Sequence, residues 1–337
     1  MKALIAHPKG ALSLINVGRD LAGVLAKHGF EVDVREYPGY RRPFEKWGYA
    51  VNVSHPVSLW FDAHHMLINP YTCRRIVHYY VIEGVLTRRR TWPKRRIVAP
   101  SNFAKRCIEL SGGSVERVVS HQVDPEVNED MVRKWREKLP KNKPLLVYVG
   151  SNIMRKGLDL LERAGYILRD RGVKCSIIVF TDNHRAPFHY NVDNMFNEPP
   201  FIKLIGFGKH RREEVWALIK ASDALIHPAY VEGFGLPVAE AVMLKVPVIC
   251  LNAPGVNELV SPRTSFMVTS CQEWRARWGV ELEFQGATCD PRDLADMVEV
   301  FLDASSDVRG DVASKAYEEL APRVKESYKW FVEDASR

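Results

Sequence analysis

The sequence alternates twice between short apolar runs and segments with helical periodicity. In the first series, an apolar run at 3–6 precedes helical spacing over 12–27 and a second apolar run at 30–34. A strand–helix–strand unit of this length predicts a parallel sheet, because only a crossover helix returns the chain to the same sheet edge. The second series has apolar runs at 145–149, 175–180, 201–205, 224–227 and 246–251.

The two series predict an α/β protein made of two Rossmann-like, doubly wound domains that face each other across a central cleft. A length of 337 residues suits two domains of about 100–200 residues each. The predicted organisation is a first domain at 1–125, a polar linker at 126–143, a second domain at 144–310 and a C-terminal helical segment at 311–337 that returns to the first domain.

Composition excludes several classes of protein. The chain is 46% hydrophobic and 26% charged, which argues against disorder and fibrous repeats. No run approaches the roughly 18–20 apolar residues of a membrane-spanning helix. Six scattered cysteines without a CxxC pair predict reduced thiols in a cytoplasmic protein. Asp62, His64 and His65 resemble a metal trio, but adjacent histidines rarely converge on one ion, so no metal site is expected.

The positive charge is concentrated in the first part of the chain. Residues 1–123 contain 19 Lys and Arg against 9 Asp and Glu, whereas residues 124–337 contain 29 against 32. The densest run lies at 88–96 around Trp92. This asymmetry predicts an anionic partner for the first domain, such as a phospholipid, an anionic glycan or a nucleic acid, with peripheral membrane attachment as one form of it. The alternative is a solvated loop without a partner.

Residues 224–260 combine the features of a ligand-binding turn. A strand that ends at His227 is followed by a glycine-containing turn at 232–235 and by Pro237, which opens a helix. Glycine lets the backbone approach a ligand closely, and the free amides of a helix N-terminus bind anions such as diphosphate. Glu232 and Glu240 are suited to accept hydrogen bonds from the hydroxyls of a ribose or a hexose.

The same segment carries a family resemblance. The spacing Glu–x7–Glu in EGFGLPVAE (232–240), after His227–Pro228, resembles the signature of retaining glycosyltransferases of the GT-B fold, family 4. Four other segments resemble this family in the same order: PSNFAKRCIEL (100–110), VVSHQVDPEVN (118–128), VYVGSNIMRKGLDLLERA (147–164) and IKLIGFGKHRREEVWALIKASDAL (202–225). Good matches cover about residues 96–260.

The resemblance implies a role for individual residues of the second domain. Glu232 would bind the hydroxyls of the transferred sugar, and Glu240 would bind the nucleotide ribose. Lys156, with Arg155, would neutralise the leaving diphosphate; whether Arg155 replaces the family arginine that is missing at Ser151 stays open. The predicted donor-binding residues are Gly10, Arg155, Lys156, Glu232, Gly233, Phe234, Gly235, Leu236 and Glu240.

The predicted catalytic residues are Glu232, Lys156 and His78. His78 is included because family members often have a histidine near the donor sugar at this place; the alternative is a hydrogen-bonded core histidine. Glu83 is predicted on the acceptor side, with a helix-start acid as its alternative, and Lys9 is predicted on the acceptor side as well.

The resemblance implies a cytoplasmic, metal-independent retaining transferase that needs no cofactor and moves a hexose from a nucleoside diphosphate sugar to an unidentified acceptor. No Asp-x-Asp lies at a strand end to hold Mg²⁺, in line with that expectation. Two alternatives remain. One is a nucleotide-sugar epimerase or a sugar phosphorylase on the same fold, and the other is a non-catalytic sugar- or nucleic-acid-binding module.

Overall fold

The computed structural model describes residues 1–8, 12–37, 49–54, 75–87, 96–141, 144–185, 188–278 and 282–337. The chain divides into two compact units. Unit 1 consists of Met1–Gln122, Ala276–Phe284 and Arg323–Arg337, and unit 2 consists of Val123–Arg275 and Gln285–Pro322.

Several residues that the sequence singles out lie in parts of the chain that the structure does not describe. Lys9, Gly10, the basic residues 88–95 and the group of Asp62, His64 and His65 lie outside the described residues.

The described residues form strands and helices in alternation. The strands are β1 (Lys2–Pro8), β2 (Glu31–Tyr37), β3 (Tyr49–Ser54), β4 (Ile76–Tyr80), β5 (Gly84–Leu86), β6 (Arg96–Ala99), β7 (Arg117–Val118), β8 (Leu145–Val149), β9 (Ser176–Thr181), β10 (Phe201–Ile205), β11 (Ala224–His227), β12 (Val248–Leu251), β13 (Phe266–Val268), β14 (Gln272–Trp278) and β15 (Leu282–Thr288). The helices are α1 (Leu12–Lys27), α2 (Asn102–Leu110), α3 (Glu129–Lys138), α4 (Leu158–Asp170), α5 (Arg212–Ala221), α6 (Leu236–Met243), α7 (Pro291–Asp303), α8 (Ser306–Val324) and α9 (Lys329–Ser336). Within the described ranges, no helix has the length and apolar character needed to cross a membrane.

Each unit is built on a six-stranded sheet whose strands run parallel. The order in unit 1 is β2-β1-β3-β4-β6-β7, and the order in unit 2 is β10-β9-β8-β11-β12-β13. In each sheet the first strand along the chain, β1 or β8, is an inner strand, and the later strands are added on both sides of it. This is the doubly wound arrangement. The predicted fold class, two parallel-sheet α/β domains, is confirmed.

The strand order of unit 2 fixes where a ligand can bind. From β8 the chain moves outward to β9 and β10, and it then returns to β11 on the other side of β8. The neighbouring strands β8 and β11 therefore form a topological switch point, where the two outgoing connections leave a crevice at the carboxyl ends of the strands. Any side chain that directly follows β8 or β11 lies at this crevice.

Helix α4 shows how closely the sheet of unit 2 is covered. Its apolar residues recur at helical spacing and are buried, among them Leu161, Ala164 and Leu168. A Cβ atom on Gly165 would lie only 2.1 Å from the ring of Phe201. A larger residue at position 165 would therefore push the helix away from the sheet, since a packed interior leaves no room for extra atoms.

The last helix, α9, belongs to unit 1, which takes up the chain from Arg323, whereas the preceding residues of the predicted segment 311–337 belong to unit 2. The rings of Tyr328 and Phe331 meet the ring of Tyr79 on β4, with centroids 6.2 Å and 5.4 Å away. Arg96 on β6 donates from Nη1 to both carboxylate oxygens of the buried Asp334, at 2.7 and 2.8 Å. Aromatic packing and this ion pair together attach α9 to the first sheet.

The attachment of α9 predicts a stability effect. Arg96→Ala leaves the buried carboxylate of Asp334 without its cation, and we expect a loss of about 1–3 kcal/mol in the free energy of unfolding of unit 1. Urea-induced unfolding followed by tryptophan fluorescence measures this loss. As a control, Glu31→Ala removes only the exposed Lys2–Glu31 pair and should cost about 0–1 kcal/mol. Equal transition midpoints for the two variants would contradict the prediction.

Candidate functional site

The candidate site lies at the switch point of unit 2. After β8 the chain makes a short 3-10 turn at Met154–Lys156, and after β11 it runs through Pro228 and Glu232 into α6. Both segments leave the carboxyl ends of adjacent strands, and the backbone N–H of Tyr230 donates to the carbonyl of Arg155 at 2.9 Å. The turn after β8 and the loop after β11 are therefore joined directly.

Glu232 is the centre of the site, and its carboxylate accepts hydrogen bonds from three side chains. Arg155 Nη1 donates to Oε2 at 2.8 Å, Lys156 Nζ donates to Oε1, and His227 Nε2 lies 3.1 Å from Oε1. Glu232, Lys156 and His227 are buried, with exposed fractions of 4%, 9% and 0%, and the side chain of Arg155 is 13% exposed. Charge-assisted hydrogen bonds are strong in such surroundings, where water screens them little.

The electrostatics of the cluster keep Glu232 ionised. Burial by itself would raise the pKa of Glu232, but the charges of Lys156 and Arg155, with the hydrogen bond from His227, hold that pKa well below its ordinary value. Burial lowers the pKa of His227, and the attraction of Glu232 opposes this only in part. His227 is therefore neutral near pH 7, and its Nε2 carries the proton because a carboxylate can only accept. Its Nδ1 is buried without a hydrogen-bond partner among the described residues.

Two glycines with positive φ allow the backbone segments of the site to approach one another. Gly157 has a φ of +68°, and a Cβ atom there would lie 2.0 Å from the carbonyl oxygen of Pro228. Gly255 has a φ of +83°, and its Cβ would lie 1.9 Å from the carbonyl oxygen of Glu232. Only glycine fits either place, because both the φ angle and the contact exclude a side chain.

The predicted glycine-containing turn leads into α6. Gly233 and Phe234 follow Glu232, and Gly235 adopts a φ of +99° at the N-cap of the helix that begins at Leu236. The first amides of a helix have no partner within the helix and carry the positive end of its dipole. The structure thus places these four predicted donor-binding residues between the Glu232 cluster and a helix N-terminus.

Glu240 lies in the middle of α6 and takes part in a second ion pair. Its Oε1 accepts a hydrogen bond from Arg212 Nε at 2.9 Å, and both side chains are largely buried. Among the described residues, no hydrogen bond joins Glu240 to the Glu232 cluster. The site therefore has two carboxylates, each with its own cationic partner.

The loop after β11 is buttressed by residues that the sequence analysis missed. The hydroxyl of Tyr230 donates to Asp159 Oδ1 at 2.8 Å, and its ring packs against Trp274. The carbonyl oxygen of Tyr230 accepts from the N–H of Ala287 at 2.8 Å. A Cβ on Gly286 would lie 2.3 Å from that same oxygen. Strands β14 and β15 alternate apolar with polar or charged residues, a period-2 strand signal that could have predicted this support.

Two of the predicted residues, His78 and Glu83, belong to unit 1. His78 is buried on β4, where its Nδ1 lies 3.3 Å from Asn52 Nδ2 and 3.2 Å from the hydroxyl of Tyr80. These contacts are compatible with both interpretations of His78. Glu83 is half-buried and precedes the short strand β5, so its alternative interpretation as a helix-start acid is wrong. Glu83 stays a predicted acceptor-side residue.

Metal-type clusters are also absent from the described ranges: no group of three or more His, Cys, Asp or Glu side chains there could hold an ion.

Comparisons with known proteins cover the residues of this site. The profile of the family described as "Glycosyl transferases group 1" matches residues 131–276, which include the Glu232 cluster, Arg212 and Glu240. The "Uncharacterized glycosyltransferase 335" of Sulfolobus islandicus rod-shaped virus 1 is 24% identical, over 95% of this chain and 97% of that protein.

Solved structures share the fold over the whole chain. A glycosyltransferase from Rickettsia africae superposes with a TM-score of 0.71 at 14% identity and covers 99% of this chain and 97% of its own. Anabaena Alr3699/HepE, in complex with UDP and glucose, superposes with a TM-score of 0.69 at 16% identity and covers 100% of this chain and 99% of its own.

The family match and the architecture favour a transferase over an epimerase, a phosphorylase or a non-catalytic binding module. Residues 131–276 therefore match the family of group 1 glycosyl transferases, and the chain has the GT-B fold of the solved glycosyltransferases.

Proposed function

We propose that this enzyme moves a hexose from a nucleoside diphosphate sugar to an acceptor, with retention of anomeric configuration and without a metal ion or other cofactor. The observation that carries the proposal is the buried cluster of Glu232, Lys156 and Arg155 beside the N-terminus of α6. The complex of Alr3699/HepE with UDP and glucose supports the donor class by analogy of fold.

The two cations of the cluster suit the leaving group. When the bond between the sugar C1 and the phosphate oxygen breaks, negative charge develops on the diphosphate. Lys156, Arg155 and the first amides of α6 are already in place in surroundings from which water is largely excluded, so they stabilise this charge without reorganisation. In this proposal the protein supplies the positive charge that a metal ion supplies in other transferases.

Donor binding then changes the partners of Glu232. The diphosphate competes with the carboxylate for Lys156 and Arg155, because both anions seek the same donors. A carboxylate oxygen that loses a cation can accept a hydrogen bond from a sugar hydroxyl. His227 remains hydrogen-bonded to Oε1 and keeps the side chain in place. Glu232 would thus hold the sugar, while Glu240 would hold the ribose.

Retention follows from the family resemblance through attack on the front face. The acceptor hydroxyl approaches C1 on the side from which the phosphate departs. The new bond joins the acceptor oxygen to C1, the bond from C1 to the phosphate oxygen breaks, and the acceptor proton passes to the departing phosphate. His78 is retained as a candidate catalytic residue near the donor sugar.

The acceptor side of the proposal rests on the charge of the first 123 residues. That excess favours an anionic acceptor, such as a phospholipid, a glycan or a nucleic acid, and peripheral attachment of a cytoplasmic enzyme to a membrane surface. Arg96, the last residue of the basic run, already forms ion pairs with Asp334 and Glu116. The residues at 88–95 would therefore provide the charge for the partner.

The partner exchange predicts opposite effects of Glu232→Gln on turnover and on binding. Turnover should fall by about 10²-fold or more, because the sugar loses its positioning group. The affinity for the nucleoside diphosphate should stay equal or increase, because no carboxylate competes for Lys156 and Arg155. Calorimetry and initial rates measure the two effects, and Glu198→Gln, at an exposed ion pair, serves as the control. A parallel loss of binding and turnover would assign Glu232 to the scaffold instead.

The leaving-group role predicts that Lys156→Met lowers kcat by about 10²-fold, the effect of removing one positioned charge stabiliser. Lys174→Met, at an exposed position of the same unit, should leave kcat unchanged. EDTA should not change the rate of the wild-type enzyme, since Lys156 and Arg155 carry the charge. Reversible loss of activity on chelation would show that a metal ion is required and would contradict the proposal.

A further inference from the structure

Glu240 has a single side-chain partner in the part of the chain that the structure describes. Glu240 is a buried residue near the middle of α6, and Arg212 Nε donates to its Oε1 at 2.9 Å. A buried carboxylate needs a charged or hydrogen-bonding partner, because desolvation is costly otherwise. Arg212 satisfies one of the two oxygens and leaves Oε2 to accept from another molecule.

The charge of Arg212 does not stabilise α5, the helix on which Arg212 lies. It occupies the first position of α5, directly after Arg211, where the positive end of the helix dipole disfavours cations. The acids that suit this turn are Glu213 and Glu214, and Glu214 also completes the capping box. The position of Arg212 is explained by the contact with Glu240 rather than by α5.

The guanidinium of Arg212 is also fixed in orientation. Its Cζ lies 4.8 Å from the ring centroid of Trp216, one helical turn further along α5. Arginine stacks on aromatic faces in this way, and its planar group then presents its N–H donors in a fixed direction. Trp216 therefore orients Arg212, and Arg212 orients Glu240.

We propose that Arg212 is a positioning residue for the donor, which holds Glu240 so that Oε2 accepts from the ribose hydroxyls. This inference rests on the proposed function, in which Glu240 binds the ribose. A carboxylate fixed before binding loses no rotamer freedom when the nucleotide arrives, so Arg212 contributes to affinity without touching the ligand. Arg212 thereby sets the preference of the site for nucleotides with ribose hydroxyls over nucleotides that lack them.

The test compares paired ligands by calorimetry on the full chain. UDP, GDP and ADP are titrated into the wild-type protein, followed by dTDP if none of them binds, and the nucleotide that binds is then compared with its 2′,3′-dideoxy counterpart. The variants are Arg212→Met, Arg212→Lys, Glu240→Gln and the double variant Arg212→Met/Glu240→Gln. Arg171→Met, which removes an exposed arginine with two acidic partners in the same unit, is the matched control. Thermal melting checks that every variant is folded.

We expect Arg212→Met to bind the ribonucleotide about tenfold more weakly, the scale of one hydrogen bond to a charged group, and to bind the dideoxy nucleotide as the wild type does. Glu240→Gln should lose the same preference, and the double variant should lose no more than either single one, because both residues act on one interaction. Arg212→Lys should keep part of the preference, and Arg171→Met all of it.

Four results would overturn the inference, and they separate three explanations. If Arg212→Met keeps the preference while Glu240→Gln loses it, or if Arg212→Met weakens both nucleotides equally, Arg212 is only a structural partner of Glu240. If Glu240→Gln keeps the preference, the ribose assignment is wrong. If the wild type binds neither these three nucleotides nor dTDP, the proposed function itself fails.

Discussion

The arrangement of the site depends on the buried carboxylate of Glu232 and the three donors that surround it. Lys156 and Arg155 come from the turn after β8, whereas His227 and Glu232 come from the end of β11 and the loop beyond it. A buried charge is tolerated only when it is paired. The turn after β8 and the loop after β11 therefore depend on each other for their conformations. The same pairing keeps two cations close together at a strand end, where an incoming anion can reach both.

The backbone around Glu232 is shaped for this pairing. Gly157 and Gly255 let the segments approach to distances at which a Cβ atom would collide with a carbonyl oxygen. Tyr230 anchors the loop to Asp159 and to Ala287 of β15, a strand that is remote in sequence. Support of this kind holds charged side chains in one geometry before a ligand arrives, which is the condition for electrostatic stabilisation of a transition state.

The sequence was sufficient for the fold class and for the buried strands, since apolar runs such as β8 and β11 are unambiguous. β3, β5 and β13–β15 were not predicted. β5 and β13 are only three residues long, whereas β14 and β15 alternate apolar with polar or charged residues, a strand pattern that could have predicted them. Lys156, Glu232 and Glu240 were selected through the family resemblance of the segments that contain them, and their roles stay predictions. Arg212 was not selected, because a helix-start arginine reads as a solvated residue, and its contact with Glu240 exists only once α5 and α6 pack side by side. Long-range pairing of this kind leaves no local pattern.

In the proposed mechanism, Lys156 and Arg155 pass from Glu232 to the diphosphate of the donor. A crystal structure of the protein with the nucleoside diphosphate that it binds tests this claim most directly. We expect the β-phosphate within hydrogen-bond distance of Lys156 Nζ and of the first amides of α6, and we expect Glu232 to have released at least one of its two cations. A nucleotide bound with its phosphates elsewhere, and with both cations still on Glu232, would contradict this mechanism.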